Sequence, residues 1–245
     1  VTEQTHINVK YVEQLYTFSN GIKYIQEESE SPQRFISIGY IALINNLNVE
    51  TSSEIFFDDW YKFFPWEDWR EGKPAIIDEE ILPKLEKWEK ENPKQSSRID
   101  ICFARGDYEW DEEKSLQRYE LLYGAQLVAE HFIDRKLPIS KNIVSGEYLD
   151  KDHRRVLATA IGRLRGKLKY KPVVYELMPE EFTFLKLQNA MEAIIGKKLH
   201  KQNFRRFVEA SGMIEQIPNK NSTEFGGRPA ALFKFKREVA QEHFL

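Results

Sequence analysis

Between residues 182 and 235 the chain sets four pieces in a fixed order. An amphipathic stretch opens at Phe182-Thr183, a tight turn falls at Gly196, and a basic stretch reads Lys201-Gln202-Asn203-Phe204-Arg205-Arg206. Two short β-prone runs then flank Gly226-Gly227-Arg228-Pro229. Helix, turn, basic helix and hairpin in that order predict a winged helix-turn-helix, and the order points to duplex DNA rather than a small substrate as the final partner.

In the first of these helices Phe184, Leu187, Met191, Ile194 and Ile195 recur at three- and four-residue steps. One stripe is therefore expected to be buried, with Lys186, Asn189 and Glu192 exposed. For the second, Leu199, Phe204, Phe207 and Val208 are expected to form the buried side, leaving Lys201, Gln202, Arg205, Arg206 and Glu209 on the remaining arc. That arc suits a major groove: arginine grips the guanine edge in bidentate fashion, glutamine does the same for adenine, and lysine neutralises phosphate. Lys198 and Lys220 are expected to add phosphate contacts, and Arg228 to reach a neighbouring minor groove or phosphate from the hairpin tip.

Charge supports a division of labour. Residues 1–150 hold 17 Lys/Arg against 29 Asp/Glu, a balance of −12, whereas residues 151–237 hold 19 against 8, a balance of +11. The formal net charge of −3 hides this asymmetry. A basic part that meets a polyanion and an acidic part that avoids it is the expected consequence. The single cysteine, Cys102, lies in the apolar run Ile99-Asp100-Ile101-Cys102-Phe103 and is expected to be a core residue. No intrachain disulfide can form, which fits a reducing cytoplasm. No apolar run approaches the length of a membrane span, and no signal peptide is visible. The chain opens on Val1 rather than Met, from which a missing natural N-terminus is expected.

Residues 34–44 and 55–64 are rich in β-branched and aromatic side chains and are predicted as strands of a central sheet. Asp78 is the expected N-cap of a helix to about Lys90, and a long helix is predicted across 111–135. Asp152 is expected to cap a further helix, with Val156, Leu157, Ala160, Ile161, Leu164 and Leu168 on one side. Arg154, Arg155, Arg163, Arg165 and Lys167 are expected mainly around the other. Tyr170-Lys-Pro-Val-Val-Tyr-Glu-Leu-Met-Pro179 reads as a short extended connection, with a domain boundary near 178/179.

These residues resemble a known family. The stretch from Tyr170 to Thr183, Lys201-Gln-Asn-Phe-Arg-Arg, Gly226-Gly-Arg-Pro-Ala and Phe233 look like the C-terminal module of the Nudix-related transcriptional regulators of NAD metabolism. Tyr11-Val-Glu-Gln-Leu-Tyr-Thr-Phe, Ile36-Ser-Ile-Gly-Tyr, Phe64-Pro-Trp-Glu-Asp-Trp-Arg and Ala158-Thr-Ala-Ile-Gly-Arg-Leu-Arg extend the likeness upstream, closest to the NadQ branch. The resemblance implies an α+β fold: a Nudix-like mixed sheet with packed helices over residues 1–178, a C-terminal winged helix over 179–237, and a tail over 238–245. It further implies a dimeric repressor whose first domain senses an adenine or nicotinamide nucleotide (NAD, ADP-ribose or ATP) and whose second holds a double-stranded operator. The family's DNA-reading positions fall on Lys201, Gln202, Asn203, Arg205 and Arg206, with Arg228 in the wing.

Catalysis is not expected. A Nudix hydrolase needs adjacent carboxylates to hold Mg²⁺ against a pyrophosphate. In the family register Glu3 matches one of them, but Gln4 replaces its neighbour and His6 replaces the glycine. An amide brings no negative charge to the metal. No catalytic residue and no metal ligand is assigned, because the five histidines show no ligand spacing. The alternative is an ADP-ribose pyrophosphatase with an accessory basic domain. For the effector, Arg34 and Arg70 are candidates to meet phosphate, and Tyr40 or Trp66 to stack on a base.

Overall fold

The computed structural model describes residues 11–19, 36–45, 57–169, 173–222 and 229–236, and the folded residues divide into two compact units, Val1–Ile55 and Phe56–Leu245. In the first, strands β1 (Tyr11–Ser19) and β2 (Ile36–Leu43) pair antiparallel, with Tyr11 opposite Leu43 and Ser19 opposite Ile36. The register shifts between Gln14 and Tyr16, so the ladder carries an irregularity that bends the pair. Leu15 and Leu43 are buried, while Tyr16, Ile38 and Tyr40 stand exposed. The strand expected at 34–44 is present over its described part.

The second unit is mainly helical. A 3₁₀ turn (Trp60–Lys62) and another (Pro65–Glu67) lead to a π-helical turn, Ile77–Ile81, which runs into α1 (Leu82–Glu91). After it come α2 (Ser96–Phe103), α3 (Ser115–Gly124), α4 (Ala129–Ile133) and α5 (His153–Leu168). Phe64, Trp66, Ile81, Leu85, Phe103, Leu121 and Ile161 are fully buried between them, and Cys102 joins this core as expected. Burial of such side chains stabilises by roughly 1.5–3 kcal/mol each.

Several sequence expectations give way here. Of the strand predicted at 55–64, the described residues form loop and 3₁₀ turns, because Tyr61, Phe63, Phe64 and Trp66 bury themselves among helices rather than in a ladder. Asp78 lies inside the helical run and pairs with Lys73, so it caps nothing. The helix predicted across 111–135 breaks after Gly124, where Gln126 takes a left-handed φ of 62° and Leu127 accepts a hydrogen bond from Val144. Asp152 does occupy the N-cap position of α5, but its carboxylate pairs with Arg155 instead of accepting a cap bond. The connection before the winged helix, where described, is a 3₁₀ helix, Val173–Leu177, rather than extended chain.

The largest correction concerns α5. Arg154 and Arg165, expected on its outer arc, are each 2% exposed. Burying a guanidinium requires partners for its charge and its five N–H groups. Arg154 reaches Glu130 at 3.2 Å and donates to the Phe63 carbonyl. Arg165 and Arg118 converge on the carboxylate of Glu67: Arg118 Nε and Arg165 Nη1 each lie 2.5 Å from one of its oxygens. Arg118 also donates to the Cys102 and Asp111 carbonyls and stacks 3.8 Å above the Trp110 ring.

Beyond the helical body, α6 (Phe184–Ile195) and α7 (Lys201–Ser211) precede strands β3 (Ile214–Ser222) and β4 (Ala230–Phe235). The two strands pair antiparallel with an irregularity between Gln216 and Asn221, where Pro218 and the positive φ of Asn219 interrupt the ladder. Phe182 adds a third edge by exchanging both backbone hydrogen bonds with Phe233, at 2.9 and 2.8 Å. The molecule is thus mixed helix and sheet with a C-terminal winged helix. Packing continues across 178/179, since Arg165 of α5 bonds a carbonyl of α6.

Candidate nucleic-acid interface

Local chemistry fixes both ends of α6. Thr183 is its N-cap, its hydroxyl accepting from the Lys186 amide at 3.2 Å, and Gly196 ends it with a left-handed φ of 77°. Leu187, Met191 and Ile194 form the buried stripe read from the sequence, and Lys186 and Asn189 are exposed.

Glu192, however, is buried. Its carboxylate accepts from the Leu199 amide at 2.9 Å and from Gln188 Nε2 at 2.8 Å, and Gln188 donates in turn to the Leu199 carbonyl. The pair staples the loop between the two helices. A signal was available: an acidic residue in the last turn of a helix is disfavoured by the macrodipole unless a local donor compensates it.

On α7, Phe204 and Val208 turn inward, four residues apart, against α6. Phe207 departs from expectation and is 53% exposed. It stands between two concavities that run beside the helix, of about 610 and 230 Å³, both also touched by Leu168 and Met191. The opposite arc presents Lys201, Gln202, Asn203, Arg205 and Arg206, all exposed.

Arg205 Nε lies 2.9 Å from Glu209 and its guanidinium 5.2 Å from the centre of the Phe184 ring, while Arg206 reaches Asn203 at 3.4 Å. Such exposed pairs are weak, so both guanidinium groups can exchange these partners for a stronger anion. Lys198 lies 3.8 Å from both Glu71 and Glu192, and Lys220 pairs with Glu181 at 2.6 Å.

The remaining candidates scatter. Arg228 and Arg34 lie outside the described residues, as do Glu3, Gln4 and His6. Tyr40 stands exposed on β2, opposite Gln14. Trp66 is fully enclosed, with the Arg154 guanidinium 5.3 Å from its ring and Phe64 edge-on, so it offers no face to a base. Arg70 is forked onto Asp68 at 2.7 and 2.8 Å and lies over the Tyr61 ring. Hydrogen bonding to Asp68 raises the Arg70 value, and Arg70 holds the Asp68 carboxyl below its ordinary range. Among the described residues, no group of His, Cys, Asp and Glu is placed to hold a metal ion, and no helix is long and apolar enough to cross a membrane.

The segment that carries this arc is similar to known proteins. Residues 174–235 match the family model described as the NrtR DNA-binding winged helix domain. An ADPR-responsive transcriptional repressor, NtrR, of Acinetobacter baylyi is 40% identical over 84 residues, which are 34% of this chain and 33% of that protein. The match thus spans about a third of the curated relative. Two solved structures of Shewanella oneidensis NrtR also align. One covers 98% of this chain and 70% of the other at 18% identity and a TM-score of 0.47. The second, complexed with a 27mer DNA, covers 98% and 71% at 19% identity and a TM-score of 0.44. Residues 174–235 are thus similar to the NrtR DNA-binding winged helix domain, a likeness that covers this segment of the chain.

Proposed function

We propose that this chain is a DNA-binding transcriptional repressor of NAD-biosynthesis genes, acting as a homodimer in the cytoplasm, where its operator is. The observation that carries this reading is the arc of Lys201, Gln202, Asn203, Arg205 and Arg206 on α7, outward-facing within a segment that matches a DNA-binding winged helix. Lys198, Lys220 and Arg228 would hold phosphates beside it. The part before residue 179 would be a Nudix-like sensor that binds a nucleotide without hydrolysing it. ADP-ribose is the favoured effector among NAD, ADP-ribose and ATP, because the Acinetobacter relative is named for its response to that compound. Tyr40 and Arg34 remain candidate contacts for it; Arg70 would have to exchange Asp68 for a phosphate.

Gel-shift titration of the full chain against its own upstream region and NAD-gene promoters, with and without NAD, ADP-ribose and ATP, tests the reading. Retarded complexes whose affinity changes with ADP-ribose are expected. Absence of any duplex binding at low salt would overturn it, and robust turnover of ADP-ribose with Mg²⁺ would favour a hydrolase instead.

A further inference from the structure

The last carbonyls of any α-helix have no partner within it. At this end of α6 two carbonyls of the helix and that of Gly196, which ends it, are taken by donors from the helical body. The Tyr61 hydroxyl donates to the Ala193 carbonyl at 2.8 Å, Arg165 Nε to Ile194 at 2.9 Å, and the Trp69 amide to Gly196 at 2.6 Å. A buried cation therefore sits at the negative end of the helix dipole.

The guanidinium itself has no slack. Its Nη1 reaches Glu67, the Glu112 carbonyl and Ser115, and its Nη2 reaches the Glu67 carbonyl and Tyr61. The fit is tight enough to dictate sequence: a Cβ on Gly196 would lie 2.5 Å from the Glu67 carbonyl oxygen and 2.8 Å from both Arg165 Nη2 and Tyr61 Oη. Only residues 197–200 separate this seat from α7, and Lys197 is bridged to Trp69 while Leu199 is stapled by Glu192.

We propose that Arg165, locked by Glu67, is a positioning residue for DNA recognition: it seats the end of α6 in the helical body and so sets the direction in which α7 presents residues 201–206. The functional half of this proposal rests on the DNA-binding reading above; the seat itself does not. Because Glu67 also holds Arg118 of α3, a displacement within the body reaches the recognition arc through one carboxylate.

The test uses the full chain with Tyr61→Phe, which removes one neutral donor, and Arg165→Lys, which keeps the charge but not the fork. Hydrogen–deuterium exchange should quicken about three- to tenfold across residues 196–204 while α3 stays protected. Anisotropy titration of a duplex from the chain's own upstream region should show Kd raised about three- to tenfold with the salt slope unchanged, since no phosphate contact is lost. A merely structural role would instead speed exchange in α3 and α7 alike and leave the affinity of folded protein unaltered, and that result overturns the proposal. Unchanged exchange across the turn in Tyr61→Phe also overturns it, and that variant decides alone if Arg165→Lys does not fold. A wild-type chain that binds no duplex would sink the DNA reading while the exchange data still judge the seat.

Discussion

Glu67 is the residue on which most of the interior depends. Burial alone would raise its carboxyl, but the charges and hydrogen bonds of Arg118 and Arg165 outweigh that and hold it below the ordinary range. A carboxyl depressed in the folded state contributes stability that is present above its unfolded value and lost as pH falls through the folded one. Glu89, hydrogen-bonded by Arg105 and Ser96, behaves alike and is lowered from 4.5 to about 2. Acid unfolding followed by circular dichroism should therefore begin below about pH 4.5 and continue towards about pH 2. Glu67→Gln strands two buried cations and should cost about 3–5 kcal/mol in urea titration, with an acid transition shallower than that of the wild type. None of this was legible in the sequence. Arg154 and Arg165 read as surface charge because a helical pattern shows which side a residue takes, not that Glu130, 24 positions away, closes over the first and Glu67, 98 positions away, over the second.

At the scale of elements, reading succeeded where periodicity and capping agree. Leu187, Met191 and Ile194 on α6, and Phe204 and Val208 on α7, appear where three- and four-residue spacing put them. Thr183→Ala should cost about 1 kcal/mol, seen as a lowered Tm, because it strips the cap of α6. The aromatic run at 57–64 imitates a strand: Tyr61, Phe63 and Phe64 fill a helical core, and β-propensity cannot tell that environment from a ladder. Phe207 lies in the helix expected for it, but its position at the margin of the stripe leaves it half outside. For the exposed arc, Arg205→Ala should lose about 1–3 kcal/mol of operator affinity and relax sequence preference, whereas Lys198→Ala should weaken all duplexes equally with a smaller salt slope. Equal, sequence-blind losses in competition titrations of both variants would displace α7 as the reading helix.

For the molecule as a whole, the boundary expected near 178/179 is crossed by the packing of α5 on α6, which joins the helical body and the winged helix mechanically. Segments of α3 and α7 should accordingly lose exchange protection at the same urea concentration; two separate transitions would show that the seat of α6 does not couple them. Cys102 offers an independent way to watch that event. It is the chain's one thiol, 3% exposed within α2, pushed up by burial and shut beneath Arg118, which donates to its carbonyl. An alkylating reagent can reach this sulfur only after the core parts, so its modification rate is a built-in stopwatch for opening that needs no engineered label.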